Sequence, residues 1–257
     1  MILAVDVGNT NIVLGCLEGT EIRSTARMAT DVKRTEYEYA VAMQNLLAYI
    51  GVDAAELEGA ILSSVVWPLN TTLRRAVELL IGREPMVVGR GLKTGLDIRI
   101  DDPGQVGADL VVGAVGGLHI AKPPLILIDM GTATTLTAVD AAGRFLGGAI
   151  VPGLRLSMDA LSGGTSQLPR VSLEAPARCI GTNTVASMQS GAIFGAAAML
   201  DGMIDRMEAE LDAPATVIAT GGLASRVVPY CRREIRCEPD LLLTGLAVLW
   251  QKNQPKK

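Results

Sequence analysis

One short stretch decides the fold, and it occurs twice. The first copy reads ILAVDVGNTN at residues 2–11, and the second reads ILIDMGTATT at residues 126–135. In each copy an apolar run, typical of a buried strand, leads to an Asp, a glycine and a cluster of hydroxyl or amide side chains. The glycine lets backbone N–H groups come close to an anion. Two such turns facing each other would hold a polyphosphate from both sides.

An Asp occupies the same place in both copies, Asp6 in the first and Asp129 in the second. An ionised carboxylate only accepts hydrogen bonds, so it suits a metal ion or a metal-bound water better than a phosphate group. The sequence therefore offers two candidate cation positions. The alternative is a pair of ordinary hairpins in which the Asn and Thr side chains only support the turns.

The rest of the chain alternates between strand and helix patterns. Each copy continues through two more strand-like runs. The spacing of apolar residues then predicts helices at 35–50, 70–81, 183–211 and from 241 onward, with strands at 57–66, 85–88 and 217–219. This order predicts an α/β layered fold in two halves, residues 1–122 and 123–257, with a cleft between them.

The composition favours a soluble cytoplasmic protein with an aliphatic core. The chain has 257 residues, 49% of them hydrophobic, and a net charge of −4. Without a basic run before the last few residues, nucleic acid is not an expected partner. The four cysteines form no C-x-x-C pair, and His119 has no second histidine with which to bind zinc. No signal peptide is recognisable and no apolar run approaches the ~20 residues that span a bilayer, so no membrane association is expected.

A carboxylate suited to proton transfer begins one further predicted helix. Apolar residues from Val106 to Leu118 recur at helical spacing after Pro103, which places Asp109 in the first turns. The helix dipole favours the charged form of a carboxyl there, so Asp109 is expected to accept a hydroxyl proton at neutral pH. A purely local role at the helix start is the alternative. The chain shows no Ser-His-Asp set, which argues against acyl transfer.

Seven short motifs follow one another along the chain. They are DVGNTN at 6–11, TGL at 94–96, GAD at 107–109, DMGTAT at 129–134, GGAIVPG at 147–153, NT at 183–184 and TGG at 220–222. In this order and spacing they resemble the signatures of the type III pantothenate kinases, a family of the acetate kinase, sugar kinase, Hsp70 and actin superfamily. The resemblance implies two duplicated βββαβαβα halves of the ribonuclease-H-like (actin-like ATPase) type, with ATP in the cleft between them.

The resemblance also implies roles for individual residues. Contacts to ATP would come from Asp6, Val7, Gly8, Asn9, Thr10, Asn11, Ile12, Val13, Thr132, Gly221 and Gly222. Asp6 would lie near Mg²⁺, Asp129 would bind a monovalent cation such as K⁺ or NH₄⁺, and Asp109 would accept the substrate proton. The pantothenate pocket would be lined by Ile100, Gly107, Ala108, Asp109, Leu110 and Thr184. The family acts as a homodimer.

The implied activity is the ATP-dependent phosphorylation of pantothenate to 4′-phosphopantothenate, the first step of coenzyme A biosynthesis. The chain departs from the family on the substrate side, where Leu110 replaces a usual Arg and Ile100 replaces a frequent Tyr. Both usual residues can hydrogen-bond pantothenate, and Arg99 is the candidate replacement. Two alternatives stay open: a kinase of another small alcohol, or a non-catalytic accessory regulator of transcription. Three intact carboxylates, Asp6, Asp109 and Asp129, weigh against the regulator.

Overall fold

The structure is a computed structural model, and it describes residues 1–254. The chain forms two compact units. Unit 1 contains Met1–Leu96, Asp101–His119 and the chain from Asp240 onward, and unit 2 contains Asp97–Ile100 and Ile120–Pro239. Among the described residues, no helix is long and apolar enough to cross a membrane.

The strands are β1 (Ile2–Val7), β2 (Asn11–Glu18), β3 (Glu21–Ala29), β4 (Gly59–Ser64), β5 (Met86–Val87), β6 (Asp97–Ile98), β7 (Leu125–Met130), β8 (Ala133–Val139), β9 (Arg144–Pro152), β10 (Thr216–Thr220) and β11 (Arg236–Cys237). The helices are α1 (Glu36–Tyr49), α2 (Asn70–Ile81), α3 (Ala108–Ile120), α4 (Leu154–Gly163), α5 (Thr184–Leu211), α6 (Ala224–Val227) and α7 (Leu241–Lys252).

The sheet of unit 1 is covered on both faces. Its strand order is β3-β2-β1-β4-β5, with β1 antiparallel to β2 and parallel to β4. One face of β1, with Leu3 and Val5, packs against apolar residues of α1 and α2. The other face, with Ile2 and Ala4, packs against apolar residues of α3 and α7. Burial on both faces explains why β1 is an almost continuous apolar run rather than an alternating one.

The sheet of unit 2 repeats the central order of unit 1. Its strands run β11-β10-β7-β8-β9-β6, so β9-β8-β7-β10 corresponds to β3-β2-β1-β4. In both units the first strand is antiparallel to the second and parallel to the fourth. Ile126 and Ile128 of β7 pack against Ile193 and Leu200 of α5. The predicted α/β class and the internal duplication are therefore confirmed.

Local signals fix the ends of the helices as the sequence predicts. Thr35 begins α1 with a capping box, since its side chain accepts from the N–H of Glu38 and the Glu38 carboxylate accepts from the N–H of Thr35. Gly82 ends α2 in the left-handed conformation with φ 69°, which a glycine adopts without a steric penalty because it has no Cβ. The side chain of Asn183 caps α5 by accepting from the N–H of Ala186.

The compact units differ from the sequence halves 1–122 and 123–257 at three places, and the smallest difference is that the main segment of unit 2 begins at Ile120. Helix α7 belongs to unit 1, where a side chain at Gly59 would collide with the Trp250 ring and one at Gly15 with Leu243. Strand β6 belongs to unit 2, because it extends the sheet edge by pairing with β9. Both assignments depend on partners distant in sequence. The short helix α4 has no counterpart among the predicted elements.

Candidate active site

The first turn, residues 6–11, is a tight connection from β1 to β2. The Gly8 N–H donates to the Asn11 carbonyl at 2.9 Å and closes the turn. Thr30, at the end of β3, supports it twice: its hydroxyl donates to the Gly8 carbonyl at 2.7 Å, and its N–H donates to the Thr10 carbonyl at 3.0 Å. The turn is therefore held in one conformation by its own hairpin and by the neighbouring strand.

The eight residues predicted to contact ATP from this turn differ in exposure, and three of them, Asp6, Gly8 and Val13, are half-buried. The side chains of Asn9, Thr10 and Asn11 are exposed. The side chains of Val7 and Ile12 are buried in the core, so these residues can offer only backbone groups. This division is expected of a phosphate-binding turn, in which backbone N–H groups supply most of the donors.

The second turn, residues 129–134, connects its strands through two residues, where the first turn uses three, and it is supported differently. The Gly131 N–H donates to the Ala133 carbonyl at 3.0 Å, and the Gly153 N–H donates to the Thr132 carbonyl at 3.0 Å. A side chain at Gly153 would collide with the carbonyls of Gly131 and Thr132. The motif at 147–153 therefore supports the turn through a close backbone approach that only a glycine allows.

Asp129 and the diglycine at 221–222 lie together in unit 2. Thr220 is the register partner of Asp129, and Gly221 follows it with φ 90°. A side chain at Gly221 would collide with the Asp129 carboxylate and the backbone of Met130, whereas the space beside Gly222 is open. The structure thus brings the predicted cation residue of this half next to the predicted nucleotide residues.

Asp109 lies in the first turn of α3, in the same unit as the first turn. Its Oδ1 accepts a hydrogen bond from the Leu110 N–H at 2.9 Å. Burial raises the pKa of the Asp109 carboxyl above its ordinary value, and backbone hydrogen bonds from Leu110 and Asp109 itself counteract this only in part. The helix dipole leads one to expect stabilisation of the charged form, but desolvation outweighs it here. A raised pKa makes Asp109 a stronger base, which suits proton abstraction.

The remaining substrate-side residues are divided between the units. Gly107, Ala108 and Leu110 adjoin Asp109 in unit 1, whereas Ile100 and Thr184 belong to unit 2. Ile100 packs near Gly147. Thr184 is the first residue of α5 and lines a cavity of about 1060 Å³ between the sheet, α4 and α5.

The proposed replacement for the missing arginine is already engaged. Arg99 follows β6 and forms an ion pair with Asp97, with 2.8 Å between the guanidinium and the carboxylate. The Arg99 side chain is 59% exposed and the Asp97 side chain is 50% exposed. An exposed ion pair of this kind is weak, so a substrate carboxylate can compete for Arg99.

Two residues beside the first turn were missed by sequence reasoning. Thr30 supports the turn from β3, and Ser63 of β4 is the register partner of Asp6. The only sequence signal is a polar pair, Ser63 and Ser64, at the end of an otherwise apolar strand. Within residues 1–254 no group of three or more His, Cys, Asp or Glu could hold a metal ion on its own.

Solved structures define the class of protein to which this fold and these turns belong. Component A of (R)-2-hydroxyglutaryl-CoA dehydratase from Acidaminococcus fermentans is similar with a TM-score of 0.58 and 16% identity, over 97% of this chain and 96% of that one. A ROK hexokinase from Thermus thermophilus is similar with a TM-score of 0.55 and 15% identity, over 98% of each chain. The chain thus has the actin-like ATPase and sugar kinase fold.

Sequence comparison narrows the class to one family. A sequence model of the type III pantothenate kinases matches residues 2–206. A type III pantothenate kinase of Moorella thermoacetica is 43% identical over 98% of this chain and 100% of its own length. Another, from Geobacillus sp. strain WCH70, is 42% identical over the full length of both. The chain belongs to the type III pantothenate kinase family.

Proposed function

We propose that this protein phosphorylates pantothenate to 4′-phosphopantothenate at the expense of ATP, the first step of coenzyme A biosynthesis. Membership of the family supports the reaction and the substrate. The observation that carries the proposal is Asp109, a half-buried carboxylate of raised pKa at the start of α3 and in the same unit as the first turn. Phosphoryl transfer to an alcohol requires a proton acceptor in addition to groups that bind the phosphates.

In this proposal the two turns hold the nucleotide. Backbone groups of residues 6–13 and the exposed Asn9, Thr10 and Asn11 bind phosphates from the first half. Thr132 binds phosphates from the second half, and Gly221 and Gly222 lie near the adenosine. The tight hydrogen bonding of both turns supports the proposal, because a donor held in place loses little conformational freedom when a ligand binds.

The donor set fits Mg²⁺ beside Asp6. Magnesium keeps several waters and is bound by one or two carboxylates together with substrate phosphates rather than by an all-protein cage. A single carboxylate at the first turn, with no larger cluster of metal ligands among residues 1–254, agrees with that mode. When bound, the cation neutralises charge on the phosphates. Asp129 is proposed to hold a monovalent cation, since neither turn contains a Lys or Arg.

Asp109 removes the proton from the hydroxyl that attacks the terminal phosphate. Its pKa is raised by burial, which increases the affinity of the carboxylate for that proton. Gly107, Ala108, Leu110, Ile100 and Thr184 are proposed to surround the rest of pantothenate, with Arg99 as the partner of its carboxylate. The enzyme is proposed to act as a homodimer.

ADP formation by the purified protein tests the proposal. The reaction is run with Mg²⁺, K⁺ and ATP, with pantothenate or with each member of a panel of small alcohols. We expect ADP release to depend on pantothenate. Because Leu110 and Ile100 offer no hydrogen bonds to an acceptor, release that depends on a different alcohol would transfer the proposal to that substrate. No release with any alcohol would reject kinase activity.

A further inference from the structure

Ser63 is a buried hydroxyl without a partner. It lies near the end of β4 with none of its surface exposed, and its Oγ makes no hydrogen bond within residues 1–254. Such a group costs stability, whereas Ala in the same place would fill nearly the same volume at no such cost. Among residues 1–254 two other buried side-chain atoms of this kind occur, in Ser24 and Asn70, and of the three residues only Ser63 pairs in register with a residue of the proposed site.

The position of Ser63 is fixed by the register of the sheet. Ser63 on β4 is the direct partner of Asp6 on β1. Ile61 and Ala4, two residues earlier on each strand, both pack on the face covered by α3 and α7. Since side chains alternate along a strand, Ser63 and Asp6 point to that same face, and neighbouring strands are only about 4.8 Å apart. The face is the one covered by α3, the helix that carries Asp109.

Unit 2 has a hydroxyl at the position equivalent to Ser63, and there the protein itself supplies a hydrogen-bond partner. On β10 of unit 2, Thr220 is the register partner of Asp129, as Ser63 is of Asp6. The Thr220 hydroxyl donates to the Pro239 carbonyl at 3.3 Å. A hydroxyl thus occurs at the equivalent position twice, and a backbone carbonyl satisfies only the one in unit 2.

We propose that Ser63 is a positioning residue for the divalent cation at Asp6. Its hydroxyl donates to the carboxylate or to the water through which Asp6 holds the cation. The carboxylates that bind metal ions are usually hydrogen-bonded in turn, and the second bond fixes their orientation. Magnesium usually keeps several waters and is bound by only one or two carboxylates. Hydrogen bonds to that carboxylate or to those waters therefore help to position the cation. The inference rests on the proposed function, because it assumes that Asp6 serves a nucleotide-bound cation.

Ser63→Ala tests the role when metal binding and stability are measured together. Mn²⁺ affinity is read by electron paramagnetic resonance on the full chain loaded with a non-hydrolysable ATP analogue, and the Mg²⁺ concentration for half-maximal turnover is read in parallel. We expect the loss of one hydrogen bond to weaken Mn²⁺ binding about three- to tenfold. The melting temperature should equal or exceed that of the wild type. Ser64→Ala is the control, since the Ser64 hydroxyl accepts from the Val66 N–H and faces the other way. It should lose stability and keep its Mn²⁺ affinity.

A double-mutant cycle with Asp6→Asn decides whether Ser63 acts through Asp6. If it does, Ser63→Ala weakens Mn²⁺ binding in the wild type but not in the Asp6→Asn background. Unchanged Mn²⁺ affinity in Ser63→Ala would overturn the inference, as would a loss of affinity accompanied by a lower melting temperature. The binding measurement needs no acceptor alcohol. It therefore separates a failure of Ser63 from a failure of pantothenate as the substrate.

Discussion

The two turns of this protein have the same topology but differ in which groups support them. The first connects its strands through three residues and is supported by Thr30 of the third strand. The second uses two residues and is supported by the backbone of Gly153. Ser63, beside the first Asp, has a hydroxyl with no hydrogen-bond partner in the described part of the chain, whereas Thr220, beside the second Asp, donates its hydroxyl to a backbone carbonyl.

This difference indicates a division of labour between duplicated halves. In unit 2 the Thr220 hydroxyl has a backbone partner, and Gly221 lies directly against the Asp129 carboxylate, which agrees with the proposed binding of nucleotide and cation there. Unit 1 keeps a buried hydroxyl and a desolvated carboxylate, Asp109, at a cost in stability. Groups that weaken the fold in this way are typical of the place where the chemistry occurs.

Removing the proton acceptor of unit 1 should have the largest effect. We expect Asp109→Asn to lower kcat about 10²–10⁴-fold while ATP binding is retained, because the variant keeps the shape of the site but cannot take the proton. Steady-state kinetics and nucleotide titration measure the two quantities. Asp101 is an exposed carboxylate in the same segment, and Asp101→Asn is the control, which should keep the wild-type kcat and ATP affinity. Wild-type turnover by Asp109→Asn would remove Asp109 from the mechanism and leave unit 1 without a chemical role.

The second effect concerns the substrate carboxylate. If Arg99 leaves Asp97 to bind it, Arg99→Ala should raise the pantothenate KM more than about tenfold, or ~1.4 kcal/mol, with little change in the KM for ATP. Arg144→Ala is the control and should leave the pantothenate KM unchanged, because this arginine of the adjacent strand is paired with Asp140 and has a side chain that is 47% exposed, compared with 59% for Arg99. An unchanged pantothenate KM in Arg99→Ala would direct attention to the backbone N–H groups of Gly107 and Ala108.

The third prediction separates the cations of the two turns. We expect activity in K⁺ or NH₄⁺ buffer to exceed that in Na⁺ buffer severalfold, and Asp129→Asn to abolish that difference. Asp6→Asn should instead weaken the response to Mg²⁺ and keep the preference for K⁺ in its residual activity. Equal wild-type rates in Na⁺ and K⁺ would show that the monovalent site has been wrongly assigned to Asp129.

The smallest expected effect is that of Asp109→Asn on the stability of the fold, and the pKa shift of Asp109 determines its sign. Because burial raises the pKa of Asp109, its contribution to stability is present when the carboxyl is protonated and is lost as pH rises through that raised pKa. Asp109→Asn should therefore melt above the wild type at neutral pH, and the gap should narrow as the pH is lowered. The pantothenate kcat/KM of the wild type should fall as the pH is lowered through the same raised pKa. A variant that melts below the wild type at neutral pH would contradict the desolvation of Asp109.

Local sequence signals predicted most of the fold. The repeated Asp-x-Gly turns, the cap at Thr35 and the glycine at Gly82 each act within a few residues, so the elements they delimit were found. Strand β6 was missed because its two residues are a strand only through pairing with β9. Helix α4 was missed although Leu154, Met158 and Leu161 have helical spacing, because it is short and ends in a glycine pair.

The sequence predicted which residues form the candidate site, but it did not predict the pKa shift of Asp109 or the unsatisfied hydroxyl of Ser63. The positions of Asp6, Asp109 and Asp129 follow from motifs, and each lies in or beside a turn or helix start as expected. The direction in which the Asp109 pKa shifts does not follow from a motif, because it depends on how much water the folded chain excludes from the carboxyl. Ser63 became visible only through the register of β4 with β1, which no local pattern contains.

A product balance tests the central claim most directly. The purified protein is incubated with ATP, Mg²⁺, K⁺ and pantothenate, and ADP and 4′-phosphopantothenate are quantified together by mass spectrometry, with Asp109→Asn treated in parallel. We predict that the two products accumulate in equal amounts in the wild type and that both nearly disappear in the variant. ADP without phosphopantothenate, or phosphopantothenate formed equally well by Asp109→Asn, would contradict the account.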